Sequence, residues 1–292
     1  MNVVSLKQEP GVTRNAFDGS PALLDGVRSR VNLDSPPARI DTVDGSMFWA
    51  IGAGITRVPS AGGVSPLAPE NIIQLRLFLH DGFRWGWYYP LENIDSPVLD
   101  LLNVRYVVAG SPKAADRLRA LPRFRHLASL PGNELFENLT VMPRFNLVHQ
   151  VRSVSSLAEA RGVIDRREID FRQTALTEVP ITLSSGSAGA DDVKVIDYQP
   201  TSLELAVQSR GTSLLVASET EYPGWDAWVD GQPTPIHRVD IALRGLVVPD
   251  GAHRVRMEFR PAILPISLAI SLATGFFLLL WAMPKRRGDS IL

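Results

Sequence analysis

Three aromatic residues flank a proline–glycine pair in the run Tyr222-Pro223-Gly224-Trp225-Asp226-Ala227-Trp228. Flat aromatic faces suit the C–H face of a pyranose, so Tyr222, Trp225 and Trp228 are candidates for a sugar-stacking platform. Asp226 and Asp230 lie close enough in sequence to take hydroxyl hydrogen bonds. The competing reading is core packing at a sheet corner, with Gly224 permitting the bend. Asp230-Gly231 also suits a tight hairpin turn. Positions 225 and 228 face opposite sides of a regular strand, and Trp225 is expected inward and Trp228 outward. A second group, FRWGWYY at 83–89, holds five aromatics in seven positions. Trp85 and Trp87 are its candidates for a glycan or lipid-headgroup contact, against packing in a core or on membrane helices.

Arg105 and Arg144 carry guanidinium forks that suit phosphate, and suit an internal carboxylate equally. The five histidines show no metal-ligand spacing such as HxxxH. Asp191-Asp192 lies in a Gly/Ser loop and reads as a solvated turn. Gly52-Ala53-Gly54 lacks the strand–turn–helix frame of a dinucleotide site. No serine elbow and no acid pair stands out. No catalytic, cofactor-binding or metal residue is therefore assigned, and no cofactor is expected.

The 292 residues are 45% apolar with a formal net charge of −1. That balance offers no basic field for nucleic acid, and the apolar content is too high for a disordered chain. Zero cysteines exclude a disulfide scaffold, a thiolate zinc site and a cysteine nucleophile. One segment breaks the globular pattern. Ala262 to Met283 runs 22 residues without a charge, about 33 Å as a helix against a hydrocarbon core of ~30 Å. It is expected to be a transmembrane helix, making the lipid bilayer a partner. Lys285, Arg286 and Arg287 follow it and favour a cytoplasmic tail over 284–292. Met1–Gly19 has no apolar region of a signal peptide. Two arrangements stay open: a tail-anchored chain with its bulk in the cytoplasm, or the end of a longer membrane protein whose earlier spans carry the bulk outside.

The elements that must position these residues fall into two blocks. Residues 1–38 read as an extended lead-in, and 39–165 as a small α/β unit. Helices are expected over 70–80, 97–103, 113–121 and 155–164, with strands at 105–109, 135–136 and 145–151. From 166 to 260 the pattern is all-β. Leu203, Leu205 and Val207 alternate with polar neighbours, Leu214–Ala217 is continuously apolar, and Val255, Met257 and Phe259 alternate with charges. Short strands between turn signals read as an antiparallel β-sandwich. The fold class is thus α+β: a small α/β unit, a β-sandwich and one C-terminal membrane helix.

Four pieces in order, Leu101–Val108 (LLNVRYVV), Leu135–Phe145 (LFENLTVMPRF), Ser218–Gly231 (SETEYPGWDAWVDG) and Val248–Val255 (VPDGAHRV), followed by the final apolar segment, resemble the C-terminal half of YfhO-like bacterial membrane proteins. The resemblance runs over about 39–283. It implies a place in the bacterial cytoplasmic membrane with an extracytoplasmic bulk. It also implies a parent related to GT-C glycosyltransferases, moving sugars from a polyprenyl-phosphate donor to a cell-surface acceptor. The multi-span bundle and its acidic residue are absent from these residues, so the resemblance implies a non-catalytic module whose partners are that bundle and a glycan or polyprenyl-linked sugar. The alternative is a self-contained, tail-anchored interaction or glycan-binding protein.

Overall fold

The computed structural model describes residues 21–33, 35–45, 49, 56–63, 68–80, 89–184, 190–261 and 263–282. Trp85 and Trp87 lie outside them. The α+β class holds, as three sheets with helices packed between and around them.

The first sheet joins Arg39–Val43 (β1), Val104–Ala109 (β2), Phe124–Leu130 (β3) and Asn133–Asn138 (β4) in the order β1-β2-β4-β3. β1 and β2 are parallel, and the other pairs are antiparallel. Its two faces are both covered. On one lies Pro21–Val31 (α1), which buries Leu23, Val27 and Val31 against Ile40, Tyr106, Val108 and Leu135. Over 21–31 this helix corrects the expected extended lead-in, whose residues 1–20 lie outside the described ones. Apolar residues four apart form one stripe, which is easily missed where the sheet that covers it is not in view. The other face takes Pro97–Leu101 (α3) and Pro112–Arg119 (α4), with Leu99, Leu101, Ala114 and Leu118 against Val104, Val107 and Phe136. Ser96 and Ser111 cap these two helices, their hydroxyls accepting from Val98 and Ala114 N–H. The expected helix near 70–80 is Glu70–Arg76 (α2).

The second half is a sandwich. Its six-stranded sheet has the order β5-β10-β14-β13-β7-β6, from Phe145–Val148 (β5), Gln150–Ser153 (β6), Thr174–Thr177 (β7), Ser213–Thr220 (β10), Ile236–Val239 (β13) and Leu243–Val248 (β14). Its five-stranded sheet has the order β12-β11-β15-β9-β8, from Asp192–Gln199 (β8), Ser202–Ser209 (β9), Trp225–Val229 (β11), Gln232–Thr234 (β12) and Gly251–Phe259 (β15). Leu205, Val207, Leu215, Ala217, Leu246, Val255 and Met257 fill the space between the sheets. Two corrections apply. β6 and β7 run parallel, so the sandwich is not wholly antiparallel. β5 and β6 also lie in the sandwich, upstream of the expected boundary at 166.

The six-stranded sheet is buried on both faces. Leu215 and Ala217 of β10 point into the sandwich, while Leu214 and Val216 point toward Leu157–Asp165 (α5) and the helices of the first unit. A strand covered on both faces reads as a continuous apolar run, which is the pattern of Leu214–Ala217.

β15 leads almost directly into Ile263–Ala282 (α6), a helix without acidic or basic residues in its first and last turns. Among the described residues, no helix is long and apolar enough to cross a membrane. The expected element is therefore met as a helix, and the expected crossing is not.

Candidate functional site

The sandwich corner at Pro223-Gly224 sorts its aromatics. Gly224 has φ +105°, and a Cβ there would lie 3.0 Å from the Phe259 ring and 3.1 Å from Pro261 Cα, so the bend needs glycine. Beyond it Trp225 shares its side of β11 with buried Ala227 and Val229 and packs on the sandwich core. The Phe259 ring lies 5.6 Å away, and the Arg244 guanidinium covers the Trp225 ring at 3.6 Å. With that face taken, Trp225 offers less to a sugar than its sequence context suggests. Tyr222 is half exposed beside Phe259. Trp228 faces out, with Arg260 and Arg256 5.0 and 6.0 Å from its ring centre, and lines an open groove of about 460 Å³ with Glu204, Asp230 and Arg254. The structure thus separates Trp225 from Trp228, and leaves Tyr222, half exposed, and Trp228, half-buried on the outer face, as the members that line open grooves.

Asp230 serves the turn. Its carboxylate accepts the Arg254 N–H at 2.7 Å and pairs with His253 Nδ1 at 2.7 Å, contacts that hold it below the usual carboxylate range. Asp191 is less solvated than expected: it pairs with His149 Nε2 at 2.8 Å and accepts the Arg210 N–H. Arg105 and Arg144 both meet carboxylates, Glu137 and Glu219, in keeping with the ion-pair reading.

Tyr222 also edges a second groove of about 410 Å³. Glu70, Asn71 and Gln74 of α2 face Glu221, Tyr222, Glu178 and Arg238 across it. Amides, carboxylates, a guanidinium and an exposed phenol ring are the group types that hydrogen-bond and stack on sugars.

Between the first unit and the six-stranded sheet lies a cluster that the sequence did not single out. Three arginines converge on Glu219. Arg39 Nη2 is 3.2 Å from Oε2, and Arg144 Nε is 3.4 Å from Oε1. Arg244 adds its charge nearby and donates from Nε to Thr220 O at 2.9 Å. The Tyr198 hydroxyl donates to Glu219 Oε1 at 2.8 Å. Burial alone would raise the Glu219 carboxyl; Arg39 and Arg144 more than reverse it, and it ends below its ordinary value. Burial lowers Arg39 and Arg244 to about 10, so both stay charged at neutral pH. Arg39 Nη1 also donates to Leu102 O and Ser218 Oγ, which joins β1, the end of α3 and β10. A second buried pair, Arg76 with Asp41, links α2 to β1. One signal was legible: Arg244 interrupts the apolar run Leu243–Val248, and a charge inside a strand buried on both faces must have a partner.

Residues 181–271 match the family described as "Bacterial membrane protein YfhO". That stretch is YfhO-like. It covers less than a third of the chain, entering just ahead of β8 and ending inside α6, so it takes in the five-stranded sheet, the Trp225–Trp228 strand and the junction with the helix. The cluster around Glu219 straddles its border: Glu219, Tyr198 and Arg244 lie within the YfhO-like stretch, and Arg39, Asp41, Arg76 and Arg144 outside it. No curated protein and no solved structure matches the chain. Among the described residues no group of histidine, aspartate and glutamate is arranged to hold a metal ion.

Proposed function

We propose that this chain is an anchored module of a YfhO-like membrane protein. On this reading α6 and its flanking residues sit in the bacterial cytoplasmic membrane. The sheets stand outside the cell membrane, and 284–292 lie in the cytoplasm. The module handles a glycan or polyprenyl-linked sugar beside a transferring bundle and makes no bond itself. The observation that carries it is the charge-free helix α6, which begins inside the YfhO-like stretch and runs on past its end at 271. Its large side chains have no protein cover: Leu272 is 66% exposed, Phe277 68% and Trp281 86%. A helix apolar on all sides is at home in a core or a bilayer, not in water. The sugar contact falls on Tyr222 and Trp228, the two aromatics that line the open grooves.

Two measurements test this. The full chain should stay in the membrane fraction through alkaline carbonate extraction, and deletion of 262–292 should release it; a full chain that extracts as soluble removes the anchor. Because the chain has no cysteine, single replacements report orientation cleanly. Gln232→Cys should react with an impermeant maleimide on intact spheroplasts, and Ser290→Cys only after lysis. The reverse pattern places the sheets in the cytoplasm and overturns the extracytoplasmic reading.

A further inference from the structure

The guanidiniums packed between the first unit and the sandwich outnumber the carboxylates that answer them. Arg39, Arg144 and Arg244 share Glu219, and Arg76 takes Asp41. Glu221, half-buried, adds a partial answer to Arg244, which still leaves four cations to three anions. Arg144 and Arg244 are 7% and 5% exposed, and Nη1 of each is buried without a hydrogen-bond acceptor. Buried N–H groups are almost always paired, and an excess buried charge is costly unless an opposite one reaches it.

The cluster borders a cavity through Arg39, while Arg144 and Arg244 stand behind it and do not line it. This cavity of about 250 Å³ lies between β1, α2 and the paired ends of β10 and β14 at Thr220 and Leu243. Arg39 and Arg76 line it, beside the Ser218 and Thr220 side chains and the loop at Ser60–Gly63. The remaining wall is apolar, from Ile72, Ile73, Leu102 and Leu243. Charged and hydroxyl groups at one side and an apolar wall at the other suit a molecule with an anionic head and a small organic body. Arginine forks pair with carboxylate and phosphoryl oxygens alike, and a phosphoryl group, with about −1.5 to −2 charge at neutral pH, brings more charge to answer the excess than a carboxylate does.

We propose that this cavity binds a phosphorylated small molecule, with its phosphoryl group against Arg39 and its organic part against Ile72, Ile73 and Leu243. The proposal does not depend on membrane anchoring or on the sugar contact at Tyr222 and Trp228. The phosphoryl group can belong to a soluble ester or to a lipid headgroup, and the two are separable by experiment.

The loop supplies variants that leave every arginine in place. A Cβ on Gly62 would meet Arg76 Nη2, Asp41 Oδ1 and Ser60 Oγ at 3.5 Å, an ordinary contact, and one on Gly63 would meet nothing within 4 Å. Full-length protein in a phosphate-free detergent is titrated calorimetrically with inorganic phosphate, glycerol 3-phosphate and, as a contrast, acetate. Phosphate and glycerol 3-phosphate should bind at one site and raise the unfolding temperature, with acetate weaker by roughly tenfold or more. Gly62→Asp brings a carboxylate to the cluster. It should weaken phosphate by roughly tenfold or more and raise the unfolding temperature without ligand. Gly63→Phe fills the cavity and should weaken glycerol 3-phosphate more than phosphate. If lipid is the source, phosphatidylglycerol nanodiscs should suppress the phosphate titration relative to detergent; an unsuppressed titration assigns a soluble ester. No phosphate binding at millimolar concentration, acetate binding as tightly as phosphate, or unchanged phosphate affinity in folded Gly62→Asp would each overturn the proposal.

Discussion

On the outer face of the five-stranded sheet, Arg254 meets Glu204, and Arg256 and Arg260 share Glu258, with each guanidinium more than half exposed. Against the six-stranded sheet, Arg39, Arg144 and Arg244 share Glu219 in a largely buried setting. The residue types are the same and the physics differs. At the surface, water and salt solvate either partner alone, so a pair contributes little. In the interior each ion has given up its hydration, and what remains depends on every neighbour being present. The exposed ladder marks the solvent face of a half-covered sheet. The buried cluster ties β1 and α3 to β10 and leaves a positive site beside a cavity.

Removing the shared carboxylate breaks the contrast most sharply. Glu219→Gln strands three guanidiniums, and a loss of about 3–5 kcal/mol in unfolding free energy is expected, as for a broken buried pair. Denaturant unfolding measures it, and a loss near zero would show that the arginines reach water or another anion.

The two indoles carry the comparison to the next scale. Trp225→Ala removes a core contact and the ring beneath Arg244, and should cost about 3 kcal/mol, the low end for a large aromatic because the ring is only half buried. Trp228→Ala, on the outer face, should move the unfolding midpoint little and weaken any oligosaccharide binding. Equal large losses would place both rings in the core.

Asp240 sharpens the contrast in its pH dependence, because it is a buried acid without a guanidinium partner. It sits in the β13–β14 turn, where burial raises its carboxyl to about 7 although it accepts the Leu176 N–H. Between its ordinary value near 3.8 and 7 the folded state keeps a proton that the unfolded chain has released. Stability should therefore fall as pH rises through that window, by up to about 1.4 kcal/mol per pH unit, and level off above it. Glu219 acts oppositely: its lowered carboxyl adds stability that is lost as pH falls below the ordinary glutamate range. Unfolding curves of Asp240→Asn should lack the fall toward pH 7. An unchanged fall would assign it to another group.

The smallest expected effect is at the surface. Arg254→Ala should leave the unfolding midpoint indistinguishable from that of the parent protein, and added salt should not change the comparison. A clear loss there would mean that the ladder on β15 holds the sheet together.

The local rules of the chain were decisive where one element carries its own signal. Ser111-Pro112 and Ser156 start helices because a hydroxyl caps free N–H groups. Asp230-Gly231 turns β11 into β12, and the alternation of β15 follows from one buried face. The charge-free C-terminal run is a property of composition alone, as is the absence of any thiol. Trp225 and Trp228 part company by strand parity, which two letters and a spacing determine. Other features depend on partners far away in sequence. α1 is a helix because β1, β2 and β4 cover its stripe, and β5 and β6 leave the first unit because they pair with β10 and β7. Nothing near Arg39 announces Glu219, 180 residues on. The cluster exists because a sheet buried on both faces brings β1, β5, β10 and β14 to one place, where a lost hydration shell turns ordinary arginines into a site.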